Sequence, residues 1–334
     1  MLKIANKINI ILVVCLLIVI IVFYKTIKEV DVSTKCIYRK SSSLFDPSVY
    51  LVSYADGPEV FFKNRNFLAF TAINSGVDFT YNYRRFHIDR EFIKNNPILN
   101  EPFGAGFWVW KPYLILKTLD NIPENSILIY ADSGMSIRKP IREYLENCFV
   151  DSTKDVVLFS YDKNTSIVPF TGNIAAGRVF DVLKCRNDSC RYGHHIWAGF
   201  IAVKNSTKSR EFIKNWLNYC CNVELITGIN QGNNYPEFKQ VQHDESILSV
   251  LAHRDHAVVN LIDMDPEFFK HFYIHRRKMN KESKSLLGFN VKKYLPEIKD
   301  KIIKYLRKIN NIQIRSYIAK ILFTNSEFNE YGSN

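Results

Sequence analysis

Apolar runs and breakers divide the chain into short strands alternating with helices. Ile127-Leu128-Ile129-Tyr130 follows the breaker Pro123-Glu124-Asn125-Ser126 and runs into Ala131-Asp132-Ser133-Gly134. A continuous apolar run of this length predicts a strand buried on both faces of a parallel sheet. Ligands of open α/β sheets bind beyond the carboxyl ends of the strands, so Asp132 is aimed where a phosphate-bound metal or a ribose would sit. Ser133-Gly134 then allows a sharp turn close to a ligand.

Upstream, Tyr50 to Ala55 predicts a strand, and Phe61, Phe62, Phe67, Leu68 and Phe70 form the apolar side of a helix ending near Gly76. Val77 to Tyr83 predicts a second strand. This β-α-β opening lacks a dinucleotide fingerprint: Gly104-Ala105-Gly106 follows no strand and has no third glycine, and no P-loop occurs. Any nucleotide is therefore held by strand ends and side chains. Pro112 fits the first position of a helix that packs Tyr113, Leu114, Leu116 and Leu119. Trp110 and Lys111 then lie beside the sheet edge, offering a ring face to a base or sugar and an ammonium to a diphosphate. Trp108 is assigned to the core.

Downstream, the pattern predicts a helix from Ile141 to Phe149, a strand Val156 to Ser160 and a strand His194 to Val203. His194 and His195 point to opposite faces of that strand and make a poor metal pair. Phe212, Ile213, Trp216 and Leu217 stripe a helix from about Ser209 to Cys220. After a loop over 228–238, Asp244 or Glu245 starts a helix carrying Ile247, Leu248, Val250 and Leu251 inward. An acid there is, in its plainest role, a helix cap. His271 and His275 share a face in either regular conformation, next to Arg276, Arg277 and Lys278. Such cations keep imidazoles neutral, as a metal ligand requires.

With 334 residues and 47% hydrophobic content the chain supports a real core. Its net charge of +12 is uneven: +4 over residues 1–49, +2 over 50–280 and +6 over 281–334. A nearly neutral centre argues against nucleic acid, whose footprint is a basic patch on the folded domain. Ile8 to Tyr24 is apolar apart from Asn9, the short end of a membrane span. No small-residue cleavage site follows, so an uncleaved anchor is expected; Lys3 and Lys7 place its N-terminus in the cytoplasm. Residues 25–49 read as a stem. The basic tail, 281–334, carries helical spacing suited either to an anionic membrane surface or to packing on the domain. Cys36, Cys148, Cys185, Cys190, Cys220 and Cys221 lie outside the anchor, an even number that fits an oxidising lumen, and Cys185 and Cys190 bracket a short polar loop that a disulfide would close. Sequons at Asn164, Asn187 and Asn205 occur at the frequency expected by chance.

Taken in order, these pieces resemble the GT-A-fold glycosyltransferases over about residues 50–280. Tyr130-Ala131-Asp132-Ser133-Gly134 is similar to their D-x-D motif, with Gly134 where the second acid stands. Trp110-Lys111-Pro112 resembles the donor-contacting helix start, Trp197-Ala198-Gly199-Phe200 the acceptor-side strand, His243-Asp244-Glu245 the acidic helix start, and His275, with His271 in reserve, the late metal-binding histidine. The resemblance implies a GT-A-like, Rossmann-related mixed sheet flanked by helices, mounted as a type II membrane protein of the Golgi or endoplasmic reticulum: N-terminus 1–7, anchor 8–24, stem 25–49, catalytic domain 50–280 and helical tail 281–334. It implies transfer of a sugar from a nucleotide-sugar donor to a glycan, protein or lipid acceptor. The implied roles are catalysis by Asp244 and Glu245; donor binding by Trp110, Lys111, Asp132, Ser133, Arg276 and Arg277; acceptor binding by Trp197 and Gly199; and Mn²⁺ (or Mg²⁺) on Asp132 and His275, since imidazole favours Mn²⁺. The rival readings are a metal-dependent phosphoesterase using Asp132, His243, Asp244 and His275, and a non-catalytic sugar- or nucleotide-binding protein of the same fold.

Overall fold

The computed structural model describes residues 34–35, 47–73, 75–161 and 166–275. The anchor over 8–24, most of the stem, the tail, Asn164, Arg276 and Arg277 lie outside them. Among the described residues no helix is long and apolar enough to cross a membrane.

A seven-stranded sheet has the order β1-β3-β2-β4-β7-β6-β8. The strands are β1 (Thr34–Lys35), β2 (Val49–Tyr54), β3 (Phe79–Tyr83), β4 (Ile127–Ala131), β6 (Val156–Ser160), β7 (Ile196–Lys204) and β8 (Val259–Asp263); β5 (Met135–Ile137) pairs separately with β9 (Phe272–Ile274). All five residues of β4 are buried. Its neighbours differ in direction, however: β2 is parallel and β7 antiparallel. The sheet is therefore mixed, and the expectation of a purely parallel environment for β4 is corrected. β2, β3, β4, β6 and β8 all run the same way. Their carboxyl ends share one edge, with Ala131-Asp132 at its centre.

Four long helices cover the sheet: α1 (Glu59–Ala72), α2 (Trp110–Leu119), α3 (Thr207–Cys220) and α4 (Asp244–Arg254). Apolar positions alternate between two cores. Leu128 and Tyr130 join Trp110, Leu114, Trp216 and Leu248 on one face, while Ile127, Ile129 and Ala131 join Trp197, Phe200 and Phe268 on the other. Trp216 is fully buried, as its place in the α3 stripe predicts.

Several local expectations are corrected. Helix α2 begins at Trp110, which makes Pro112 its third residue. In α1 Phe70 is exposed, whereas Asn64, Arg65 and Asn66 are buried. The Arg65 guanidinium donates to the carbonyls of Asn82 and Tyr83 and to Asn66 Oδ1, so α1 presents a hydrogen-bonding face to the end of β3. His271 closes a short helix, Pro266–His271, and His275 follows β9, so the two histidines straddle a helix-to-strand junction and share no regular face. The Cys185–Cys190 disulfide is formed.

Candidate active site

The site grows from two chain ends that meet at the sheet edge. Asp132 follows β4; its N–H donates to Gly199 O at 2.9 Å and its carbonyl accepts from Met135 N. Tyr130, on the same side of β4, donates its hydroxyl to Asp132 Oδ1 at 2.6 Å. Lys111 enters from the first turn of α2 and meets Asp244, the first residue of α4, with Nζ 2.7 Å from Oδ2. Both are buried, at 3% and 4% exposure. Asp244 therefore binds a cation rather than simply capping its helix, and Trp216 Nε1 donates to the Asp244 carbonyl to fix that helix start.

Electrostatics tie four charged groups together. Burial opposes the Lys111 charge, but Asp244, then Asp132 and Glu245, more than offset it, and the ammonium pKa ends raised. Burial pushes the Asp244 carboxyl up to about 7 even though Lys111 pulls it down; Glu245 and Asp132 add to the rise. Tyr130 is raised well above the ordinary phenol range, first by burial and then by Asp132. Three carboxylates thus surround one buried ammonium.

Glu245 is held differently. One oxygen lies 3.0 Å from His195 Nε2, and the other accepts from Ala198 N at 3.3 Å. His195 Nδ1 lies 3.0 Å from the Val168 carbonyl, which can only accept, so Nδ1 carries a proton. For Nε2 to bond Glu245, a further proton must lie between imidazole and carboxylate. The Glu245 side chain keeps 18% exposure, against 5% for Asp244. Asp132 is also partly exposed. The edge therefore carries two solvent-reaching carboxylates above a buried ion pair.

The structure thus brings Lys111, Asp132, Asp244 and Glu245 together. Ser133 is buried in the turn that follows. His275 is attached to that same turn: its N–H donates to Gly134 O at 2.9 Å and its Nε2 lies 3.1 Å from Met135 O. His271 instead packs by Tyr144, with Nε2 3.4 Å from Glu267. Among the described residues no group of three or more His, Cys, Asp or Glu side chains is arranged to hold a metal.

Other expected site residues are placed elsewhere. Trp110 is 6% exposed, stacks on Tyr54 at 4.0 Å and donates Nε1–H to Gly104 O, so its ring builds the wall and offers no open face to a base or sugar. Trp197 is 3% exposed in the core on the far side of the sheet. A Cβ at Gly199 would lie 2.3 Å from the Trp197 indole, so Gly199 is small to seat that ring, and neither residue lines an acceptor surface. Trp108, assigned to the core, is only partly buried and stacks on His243 at 5.6 Å.

Sequence reasoning missed the site roles of Tyr54, Tyr130 and His195, and it offered His243 only as a metal ligand, whereas the ring stacks on Trp108 and bonds the Ile226 carbonyl. Tyr130 was legible as the residue two before Asp132 on one strand face; the others owe their places to partners far along the chain.

No family model and no curated protein matches the chain. Among solved structures it is similar to a glycosyltransferase involved in the glycosylation of the major capsid of PBCV-1, at 12% identity and TM-score 0.39, over 65% of this chain and 83% of that one. It is also similar to mouse xyloside xylosyltransferase 1 in its apo form, at 8% identity and TM-score 0.38, over 66% of this chain and 86% of that one.

Proposed function

We propose that the protein is a GT-A-type glycosyltransferase that moves a sugar from a nucleotide-sugar donor to a glycan, protein or lipid acceptor. One observation carries the reading. Two solvent-reaching carboxylates, Asp132 and Glu245, stand over the buried Lys111–Asp244 pair at the carboxyl edge of five co-directional strands.

The chemistry breaks the bond between the anomeric carbon and a β-phosphate oxygen, leaving negative charge on the diphosphate, while the acceptor hydroxyl gives up its proton. Lys111 supplies fixed positive charge beneath the leaving group, in place before reaction and shielded from water. Asp244 positions that ammonium. Glu245, aimed by His195 and Ala198 N, is the carboxylate placed to take the acceptor proton in an inverting reaction or to orient the acceptor in a retaining one. Asp132 and Ser133 face the donor, and Arg276 and Arg277 would add cations there.

A divalent cation suits the excess of carboxylate over ammonium at this edge. Asp132 would hold it, Mn²⁺ or Mg²⁺, and it would supply Lewis-acid charge at the diphosphate. His275, expected as the second ligand, is 2% exposed with Nε2 on the Met135 carbonyl, so that nitrogen carries a proton and does not fit a ligand role. EDTA is expected to abolish transfer and Mn²⁺ to restore it; transfer that survives EDTA removes the metal from the scheme. The phosphoesterase reading loses ground because Asp244, one of its four ligands, is committed to Lys111. The chain is proposed to work as a type II membrane protein with its catalytic domain in the Golgi or endoplasmic reticulum lumen.

The test is a thermal-shift screen of UDP-, GDP- and CMP-sugars with and without Mn²⁺, followed by a transfer assay on each stabilising donor. A donor-specific rise with release of the nucleotide supports the proposal. Binding without transfer or donor hydrolysis would favour the non-catalytic reading, and no rise with any donor overturns the nucleotide-sugar assignment.

A further inference from the structure

Beside the carboxylates lies an aromatic cluster that the chemistry above does not use. Phe103, Phe107 and Trp108 surround the imidazole of His243, with ring centroids 5.2, 5.2 and 5.6 Å from it; Phe103 and Phe107 meet it edge-on and Trp108 is stacked. The cluster adjoins both halves of the buried ion pair. His243 immediately precedes Asp244, and Trp108 O accepts from Lys111 N at 2.9 Å. It is also open: Phe103 is 52% exposed, and Phe107, Trp108 and His243 are partly exposed.

Its backbone is strained on both sides. Gly104 through Trp108 all have positive φ, including Ala105, Phe107 and Trp108, and His243 has φ 53° and ψ −117°. L-residues enter this region at a cost that surrounding structure must sustain, and such residues gather at ligand-binding positions. A Cβ at Gly104 would lie 2.6 Å from Trp108 Cε3, so the glycine lets the indole lie flat over the loop.

The imidazole has a defined polarity. Its Nδ1 lies 2.8 Å from the Ile226 carbonyl and therefore carries the proton. Burial holds the ring neutral, outweighing that hydrogen bond and the Glu245 charge. Nε2 is then a bare acceptor, with no protein partner among the described residues. A pyranose combines an apolar C–H face, which packs on an aromatic ring, with hydroxyl donors around its rim. Aromatic faces beside a single imidazole acceptor match that pattern, and among the described residues no lysine or arginine lies over the Phe103, Phe107 or Trp108 ring to favour a phosphate.

We infer that Phe103, Trp108 and His243 form the subsite for a pyranose ring of the acceptor, with His243 Nε2 accepting a hydrogen bond from one of its hydroxyls. This rests on the glycosyltransferase reading and assigns the acceptor a carbohydrate character next to Glu245.

The test uses the full chain and a panel of methyl α- and β-pyranosides of glucose, galactose, mannose and xylose. Saturation-transfer NMR on the wild type should show contact with at least one of them, and Phe103→Ala should abolish it. In the transfer assay Phe103→Ala should raise the acceptor KM about tenfold while the donor KM moves less than twofold. His243→Ala should act likewise, and His243→Gln, whose amide oxygen accepts a hydrogen bond, should recover part of the loss. No saturation transfer from any pyranoside to the wild type overturns the inference. So does a Phe103→Ala acceptor KM within twofold of wild type, or a rise confined to the donor KM, which would assign the rings to the nucleotide. The donor screen addresses the enzymatic reading alone, so the two fail separately.

Discussion

Lys111 and Asp244 form the pair on which the site's charge depends. Removing one partner of a buried ion pair leaves an uncompensated charge and costs about 3–5 kcal/mol, whereas replacing both by neutral groups costs less. Lys111→Met and Asp244→Asn should each lower stability, and the double variant should be more stable than the sum of the two losses predicts by more than ~1 kcal/mol, read from urea unfolding. The pH dependence follows from Asp244, whose folded pKa of about 7 lies above its unfolded value of roughly 3.9. Its contribution to stability is full below the unfolded value and is lost as pH rises through about 7. Stability at this site should therefore erode between pH 4 and 8 in the wild type and stay flat in Asp244→Asn. Activity should move oppositely, since the ion pair that steadies Lys111 needs ionised Asp244: kcat/KM should climb through pH 7, with that acid limb absent in Asp244→Asn. Glu245→Gln should keep the limb while lowering kcat. Asp132, Lys111 and Asp244 were legible because each sits at an element boundary that the chain marks with a breaker or an apolar run. The His195–Glu245 contact was not, because its halves lie on β7 and α4 and only the fold gives them a common side.

At the level of elements, β2, β4, β6 and α3 were readable within about two residues from apolar runs and helical stripes. Strand direction was not. Whether β7 runs with or against β4 depends on how the intervening chain returns, and that antiparallel return carries Gly199 O to the Asp132 N–H. The buried Arg65 face of α1 escaped the pattern because its polarity is satisfied by strand carbonyls elsewhere. Gly199 leaves room for the Trp197 indole, and Gly199→Val should be a costly strand substitution, since any Cβ there meets that ring. A loss of about 1–3 kcal/mol from overpacking is expected, with reduced activity because the Asp132 backbone bond moves too. The Cys185–Cys190 bridge closes a short loop, and the neighbouring Arg186 and Arg191 clamp the segment leading to His243 through Asn233 O and Glu237. Replacing both cysteines by alanine should cost about 2 kcal/mol, the chain-entropy value for so short a loop, measured as a drop in Tm against the parent.

The whole chain combines a nearly neutral central domain with basic ends, and that division was plain in the sequence. The segment Ile8 to Tyr24, outside the described residues, is the part proposed to anchor the domain at a membrane. Its 17 residues would extend about 25 Å as a helix, somewhat short of a hydrocarbon core of roughly 30 Å. Lysines at 3, 7, 25 and 28 flank it on both sides and, were the segment inserted, would reach the headgroups along their apolar stems. A span this short has little margin. Replacing Leu16 and Leu17 with lysine puts two charges at its centre, each costing about 2.5–3.5 kcal/mol on insertion. Full-length protein should stay with the membrane pellet through carbonate extraction, and the Leu16→Lys, Leu17→Lys double variant should be released. Wild-type protein recovered in the supernatant would remove the anchor while leaving the sheet-edge chemistry intact, since none of the residues at that edge comes from the segment.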